Sequence, residues 1–573
     1  MKILHNHLGY PTQGRKVALI QSAEDVEGRT FTIYDAVQRS AVFSGVLGAR
    51  QTIGEWHTGP VYQADFSALQ EQGSYVLTVD LGLPHASLPL VSQPFSIAPI
   101  IYGGQLISDL IHYLKSQRSS GIFDLADRTC PKFVSEEKVA GRVVERVDVH
   151  GGWHDASGDA SKYLSHMSYT NFMNPQQIPQ VVWNLIDGRD RLPAQSIWLD
   201  DRIVDEALHG ADFLIRMLDP QGYFYMTVFD RWSKDVEQRE ICSYTTQKGH
   251  KFDTYQAGFR QGGGSAIAAL ARASRLPRDG EFSRIDYLTA AEKAFAHLQQ
   301  HNLQYLDNGQ ENIIDDYCAL LAAIELFATT SNPSYEQAAE QRARKLIQRQ
   351  SQAGWFWADD QQTRSYFHAA EAGLPSIALL RFIDVAPNSS LVQDCRDCVQ
   401  KAWEYELSIS VDARTNPFNY PRQYIQMPNK AGRIQFFIPH ENESGYWWQG
   451  ENARLASLAS AAQLVATQFE TDAQFAQTLR AYAQSNLNWI FGLNPFDACM
   501  MQGHGHNNPR YENGYWNAPG GVCNGITSGL ENEEDIDFKS ASQTTPFHSW
   551  RWGEQWIPHG AWLFHALSQQ AME

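Results

Sequence analysis

The period of the apolar residues changes once along this chain, near residue 100. Before that point short alternating segments recur at Val17–Ile20, Thr30–Tyr34, Val61–Phe66, Tyr75–Val79 and Phe95–Ile97. Turn-rich stretches such as Ser22–Gly28 and Gln70–Ser74 separate them. Short strands at this spacing predict an antiparallel all-β sandwich over residues 1–100. From Tyr102 onward the spacing becomes helical, beginning with Leu106, Ile107, Leu110, Ile111 and Leu114. It continues through Ala207–Leu218, Ile267–Ala273, Ala290–Leu298, Ile313–Ala328, Tyr335–Gln350, Leu374–Phe382, Leu391–Leu407, Leu455–Phe469, Ala473–Ile490 and Gly560–Ala571. Many of these helices are Ala-rich and apolar on more than one face, which suits an all-α toroid or solenoid over residues 101–573. No fixed-period repeat is present, which argues against a short-repeat array. Two domains also fit a chain too long for one core.

Between the helices lie four long connections: Leu125–Tyr169, Tyr223–Gly264, Asp412–Asn452 and Asn494–Pro558. Connections of this length in a compact domain usually carry function. The formal net charge of −18 disfavours nucleic acid and anionic membranes as partners. No apolar run approaches the roughly 20 residues that span a bilayer. The opening Met1–His7 has no apolar leader segment, so a cytoplasmic location is expected. Seven Cys, thinly spread, predict reduced thiols rather than a disulfide framework. Cys395 and Cys398 form an isolated C-x-x-C pair within a predicted helix, a weak signal for metal or redox use. No ligand set points to a metal, and no cofactor is expected.

Three segments carry chemistry. In Gly151–Tyr163, Asp155 and Asp159 stand four apart among Gly and small residues. Such a pair can hold a water, one carboxylate as base and one as orienter; an Asx turn or helix cap reads equally well. Glu554 is a lone acid among Trp550, Trp552 and Trp556. Apolar surroundings would raise its pKa toward that of a general acid, while an exposed Glu before a final helix is the plainer alternative. The loop Gly503–Tyr511 offers His506 and Arg510, and Phe437–Trp448 offers Glu443, Tyr446, Trp447 and Trp448. Aromatic faces suit a pyranose ring, and acids and amides suit its hydroxyls; a solvated loop and core packing are the alternatives. Gly262–Gly264 lacks a phosphate-loop continuation, and neither a G-x-S-x-G elbow nor an H-E-x-x-H helix occurs.

Taken together, these segments resemble glycoside hydrolase family nine, in the subgroup with an N-terminal immunoglobulin-like domain. Asn6-His7-Leu8-Gly9-Tyr10 resembles that subgroup's N-x-x-G-Y opening. Val61–Ser67, Gly73–Tyr75 and Phe95–Ile97 resemble its later strands, and Gln117–Gly121 the entry to its catalytic domain. Gly151–Asp159 resembles the family's G-G-W-x-D-A-G-D with one extra residue, Ser157. Gly553-Glu554-Gln555 resembles its N-E-x motif, with Gly in place of Asn. The resemblance implies a six-hairpin (α/α) toroid and hydrolysis with inversion. It assigns Asp159 as base, Asp155 as orienter of the water and Glu554 as acid, with the inserted Ser157 leaving open which Asp is the base. His506 and Arg510 resemble a looser form of a sugar-binding H-H-R segment, and Trp552 joins the expected sugar contacts.

The expected partner is an oligosaccharide. The chain is similar to the family's bacterial exo-β-D-glucosaminidase branch, which implies an acidic amine subsite drawn from Glu441, Glu443, Glu451, Glu531, Glu533, Glu534, Asp535 or Asp537. An endo-β-1,4-glucanase or cellodextrinase is the alternative within the class. A non-catalytic carbohydrate-binding relative is the alternative outside it.

Overall fold

The structure, a computed structural model, describes residues 1–80, 89–135, 144–167, 169–193, 196–245, 248–411, 416–446, 449–511, 514–539, 543–545 and 548–570. Trp447 and Trp448 lie outside the described residues.

The sandwich pairs two sheets. One holds β1 (Lys2–Leu4), β3 (Val17–Gln21) and β6 (Val61–Asp65) in the order β1-β3-β6. The other runs β2-β9-β7-β4-β5, from β2 (Gly9–Pro11), β9 (Phe95–Ala98), β7 (Gly73–Val79), β4 (Thr30–Asp35) and β5 (Ala41–Val46), with β8 (Leu90–Val91) beside β7. Strand period explains why β3 is apolar throughout. Ala18 and Ile20 enter the sandwich core with Phe31, Ile33 and Leu77, while Val17 and Leu19 point the other way into the core shared with the helices. The Asn6-x-x-Gly9-Tyr10 motif ties the domains. Asn6 donates to Tyr102 Oη and Asn488 Oδ1, both at 2.9 Å, and Tyr10 Oη donates to Val17 O at 2.6 Å. Gly9 sits at φ +115°, where a Cβ would fall 1.9 Å from Ser96 O, so only glycine fits.

Among the described residues, twelve long helices build the ring of the second domain: α1 (Gly104–Ser116), α2 (Ile178–Arg191), α3 (Ile197–Arg216), α4 (Gly263–Ala273), α5 (Arg284–Tyr305), α6 (Ile313–Thr330), α7 (Pro333–Gln348), α8 (Leu374–Val385), α9 (Val392–Ser410), α10 (Asn452–Gln468), α11 (Ala473–Ile490) and α12 (Ile557–Gln570). The even-numbered helices contact one another in sequence and close into a ring where α12 meets α2. Each odd-numbered helix packs outside its partner, with α1 covering α12. This is the (α/α) six-hairpin toroid. Inner helices are walled in on every side, and every residue of α4 is buried, which is why their sequences are apolar all round.

Helix α2 is absent from the sequence-based prediction. Its sequence, IPQVVWNLIDGRDR, puts Gln180, Asn184 and Asp187 at buried positions, so polar residues break the apolar period that a surface helix would show. The charges are satisfied internally. Asp187 accepts from Arg272 on α4, Arg191 on α2 and His565 on α12, and Glu325 on α6 accepts from Arg272, Arg275, Arg381 on α8 and Trp183 on α2. Ser460 on α10 meets His565 Nδ1 at 2.5 Å. One polar network therefore links all six inner helices.

Alternation of the helices sends every outer-to-inner connection to one end of the ring. Five of those six connections are long, covering 117–177, 217–262, 349–373, 411–451 and 491–556. The opposite end has only short links, such as 331–332 and 469–472. The candidate residues are therefore gathered above one mouth of the toroid.

Candidate active site

The first and last of these connections are laced together. Ser157 N donates to Gln555 O at 2.8 Å, and Gln555 N donates back to Ser157 Oγ at 3.0 Å. Ile557 N donates to Asp155 O at 3.1 Å, and Trp516 N to Ser157 O at 2.7 Å. The extra residue of the D-A-S-G-D loop is thus the pin that holds Glu554's strand in register. Gly158 N donates to Glu554 Oε1 at 3.1 Å. A Cβ at position 158 would sit 2.3 Å from that oxygen, so the acid's approach requires glycine there. Beneath the loop, Lys162 Nζ donates to Val149 O and Gly151 O and pairs with Asp127 at 2.7 Å, while Arg239 grips the same Asp127 at 2.7 and 2.8 Å. This buried cluster supports the turn at Gly151 and Gly152, both at positive φ.

Asp155, Asp159 and Glu554 are thereby brought to one place. Trp556 Nε1 reaches both carboxylate oxygens of Asp155 at 3.0 Å. Asp159 accepts from Tyr163 Oη at 2.7 Å and Ser161 N at 2.8 Å. The Asp155 and Asp159 carboxylates have oxygens within 4.8 Å of each other, close enough to share a water. Burial is the first cause that pushes Asp155 well above the usual carboxylate range, with Asp159 and Glu554 adding repulsion. Burial and then Asp230 raise Asp159 to about 6, against the donors Ser161 and Tyr163. Burial and then Asp159 raise Glu554 to about 8, against the Gly158 amide and Lys234. Between those values one carboxyl is an anion and the other keeps its proton.

The three Trp residues expected around Glu554 do not form an apolar box. Trp552 is buried with its Nε1 on Thr527 Oγ1 at 3.1 Å, so it packs the core and offers no face to a sugar. Trp556 serves Asp155, and Arg551 lies over Trp550 at 4.5 Å. Sequence reasoning missed Trp516 and Lys234. Lys234 Nζ lies 4.5 Å above the Trp516 ring and donates to Gly514 O; Trp516 itself is 39% exposed. Trp516 sits in a long connection, a usable signal. Lys234 gave none, because only folding brings the Arg231–Lys234 turn beside residues 514–516.

The other sugar-contact candidates are placed elsewhere or otherwise engaged. His506 is stacked on His7 of the sandwich at 3.4 Å between ring centroids, and both Nε2 atoms face Asp497 Oδ1, at 3.0 and 3.2 Å. It is a domain-seam residue. Arg510 is exposed. Tyr446 pairs its hydroxyl with His440 Nδ1 at 2.9 Å. Glu443 forms a two-pronged pair with buried Arg364, at 2.5 and 3.1 Å. Some of the acids expected to bind an amine are similarly committed: Glu451 to Arg454 at 3.0 Å, Glu533 to Arg433 at 2.6 Å and Asp537 to Lys539 at 2.9 Å. Asp535 is held by the amide and ring of His57.

Among the described residues, two clusters have the spacing of metal ligands, His7/Asp497/His506 and Asp155/Asp159/His166. Both are better explained by hydrogen bonds. His506 N donates to His7 Nδ1 at 3.2 Å, and Met167 N to His166 Nδ1 at 3.0 Å. An imidazole whose Nδ1 accepts carries its proton on Nε2, the nitrogen that faces the carboxylates in each cluster. All seven Cys are free and buried.

Comparison with known proteins follows the same lines. The model of glycosyl hydrolase family 9 matches residues 104–516, and that of the cellulase N-terminal ig-like domain matches residues 1–82. Glu554 lies beyond the matched stretch. A cellodextrinase of Butyrivibrio fibrisolvens is 31% identical over 169 residues, 28% of this chain and 27% of that protein; the match thus spans about a quarter of that relative. Among solved structures, a family 9 glycoside hydrolase of Bacteroides ovatus superposes with a TM-score of 0.65 at 19% identity, covering 100% of this chain and 98% of its own. A metagenome-derived family 9 endoglucanase gives 0.66 at 18% identity, covering 100% and 99%. A single mutant of the thermostable endoglucanase of Alicyclobacillus acidocaldarius gives 0.61 at 17%, covering 100% of both. With a catalytic-domain match over most of its length, a β-sandwich ahead of it and a closed ring of six helical hairpins, this chain belongs to glycosyl hydrolase family 9.

Proposed function

We propose that this protein is an inverting β-1,4-glycosidase acting on cellodextrin-type β-glucans. Asp159 serves as base, Asp155 orients the water and Glu554 is the acid. The observation that carries the reading is the lacing of the Asp155–Asp159 loop to the Glu554 strand, with the pKa values of base and acid split to about 6 and about 8. Asp159 takes the role of base because the Ser161 amide and the Tyr163 hydroxyl hold its charge, whereas burial and the neighbouring Asp159 push Asp155 well above the usual carboxylate range. In the reaction Asp159 accepts a proton from the water as its oxygen attacks the anomeric carbon. Glu554 gives its proton to the departing glycosidic oxygen, and the product leaves as the α-anomer. Inversion of this kind uses carboxyls about 6.5–9.5 Å apart, leaving room for the water.

Likeness to a cellodextrinase and to endoglucanases supports a glucan substrate. The exo-β-D-glucosaminidase reading draws less support from its amine subsite, since Glu443, Glu451, Glu533 and Asp537 among the acids it invoked are ion-paired within the fold. Product analysis by NMR with cellotetraose and, separately, chitosan di- to tetrasaccharides tests both points. Cellotetraose cleaved with initial α-anomer is the expected result. Release of glucosamine with cellotetraose untouched would sink the substrate assignment, and an initial β-anomer would sink the mechanism.

The pH dependence follows from the same two groups. The rate should rise as Asp159 loses its proton near pH 6 and fall as Glu554 loses its proton near pH 8. A bell-shaped kcat/KM profile with those limbs is expected. Lys234 favours the anionic form of Glu554, so Lys234→Met should move the alkaline limb upward. A limb unchanged by that substitution would remove Lys234 from the site's electrostatics.

A further inference from the structure

A second cleft lies on the seam between the sandwich and the toroid. Its cavity volume is about 390 Å3, and it is open to solvent. Its walls come from the β2–β3 turn of the sandwich, the Pro99–Tyr102 linker and helices α10, α11 and α12. Gln477 stands near the start of α11 and Gln569 and Gln570 at the end of α12, so the cleft belongs to the end of the ring with short links, opposite the catalytic loops.

Its chemistry differs from that of the rest of the molecule. Six carboxamides line it: Gln13, Gln463, Gln477, Gln484, Gln569 and Gln570. Among the described residues no acid does, in a chain with 64 acidic residues. Its two guanidiniums already have partners, Arg15 on Gln63 Oε1 at 3.1 Å and Arg480 on Glu470 at 3.2 Å. Part of the amide set is fixed in place. Gln484 Nε2 donates to Tyr102 Oη and Asn488 Oδ1, both at 2.8 Å, and its Oε1 accepts from Gln570 Nε2 at 3.2 Å. Gln463 is the exception. It is only 8% exposed, and among the described residues neither its Nε2 nor its Oε1 has a hydrogen-bond partner. Gln569 Nε2 is also unpartnered. A buried amide left unmet is costly, and such groups in native proteins are normally satisfied by something.

A carboxamide offers a donor and an acceptor side by side, the pattern presented by neighbouring hydroxyls on a sugar ring. Pro11, Pro99, Ile100 and Ile101 supply apolar surface for the ring's C–H face. We infer that this seam cleft is a non-catalytic binding site for a neutral mono- or disaccharide, held through Gln463. The inference is independent of which glycan the catalytic site cleaves.

Calorimetric titration of the full-length Glu554→Gln protein with cellobiose tests it, since turnover is then blocked. A second binding event is expected, weakened at least tenfold by Gln463→Leu and by the rim substitution Gln477→Ala, while the wild-type chain carrying either substitution keeps its kcat. Gln463→Leu is checked for folding by its melting curve. Failure of the catalytic site to bind cellobiose, with the Gln463-dependent event intact, would overturn the glucan assignment and leave this inference standing. A single event unaffected by both substitutions would overturn the seam site and show that water alone serves Gln463. Tighter binding of glucuronate than of cellobiose at the seam would overturn the neutral-ligand claim, because the guanidiniums would then dominate.

Discussion

Glu554→Gln is expected to reduce kcat by about 10²–10⁴-fold while leaving sugar affinity within a few fold, the size of effect a single general acid contributes. Gln keeps the shape of Glu and can still accept from the Gly158 amide, but it has no proton to give to the leaving oxygen. The same substitution should make the protein more stable at neutral pH. Glu554 is raised from 4.5 to about 8 in the folded state, so the folded protein binds a proton that the unfolded chain has released. Stability carried by such a group is full below pH 4.5 and declines as pH rises toward 8. Removing the titration removes the decline, and a rise in Tm on the order of 2 °C at pH 7.5 is expected, fading at pH 4. Calorimetry at the two pH values and initial rates on cellotetraose measure both effects. Retained turnover would take the acid role from Glu554. A Tm change equal at both pH values would mean that the stability effect comes from packing and not from the proton.

The largest stability effect is expected at Glu325. Its carboxylate is fully buried and accepts from Arg272, Arg275, Arg381 and the Trp183 indole. Burial alone would raise its pKa; the three guanidiniums reverse that and hold it at about 2. Glu325→Ala takes the counter-charge from Arg275 and Arg381, while Arg272 keeps Asp187 and Asp190, and a loss of about 3–5 kcal/mol is expected, as for other broken buried pairs. Because the folded pKa lies below the unfolded one, Glu325 contributes stability above about pH 4.5 that is lost as pH falls toward 2. Urea unfolding of wild type and variant at pH 7 and pH 3 should therefore differ most at pH 7. A loss under about 1 kcal/mol at pH 7 would show that the guanidiniums are solvated there and that the network does not brace the ring.

How much of this was legible beforehand depends on whether a signal is local. The switch from a two-residue to a helical period near residue 100 is a property of neighbouring side chains, so both domain types could be read directly. Gly151–Asp159 could be read for the same reason: its glycines and its acids stand within one short stretch of chain. Helix α2 was not legible, because its buried face is polar and is satisfied by Arg272, Glu325 and His565 from other helices. Residues that are apolar or aromatic in sequence were assigned to the sugar and then found in the core, as with Trp552; composition does not encode which way a ring points.

What the sequence by itself determined is the pair of folding patterns and the identity of three carboxyl groups. Hydrophobic periodicity and glycine placement act over a few residues, and no other part of the chain is needed to read them. Only the tertiary structure set the surroundings of those carboxyls. Asp159 and Glu554 lie far apart in the chain, and their separate pKa values arise from burial, from Asp230 and Lys234, and from the Gly158 amide. It also decided that His506 and Glu443 are engaged within the fold. Coulomb and desolvation energies depend on distance in space, and ring closure between α12 and α2 is the step that sets those distances.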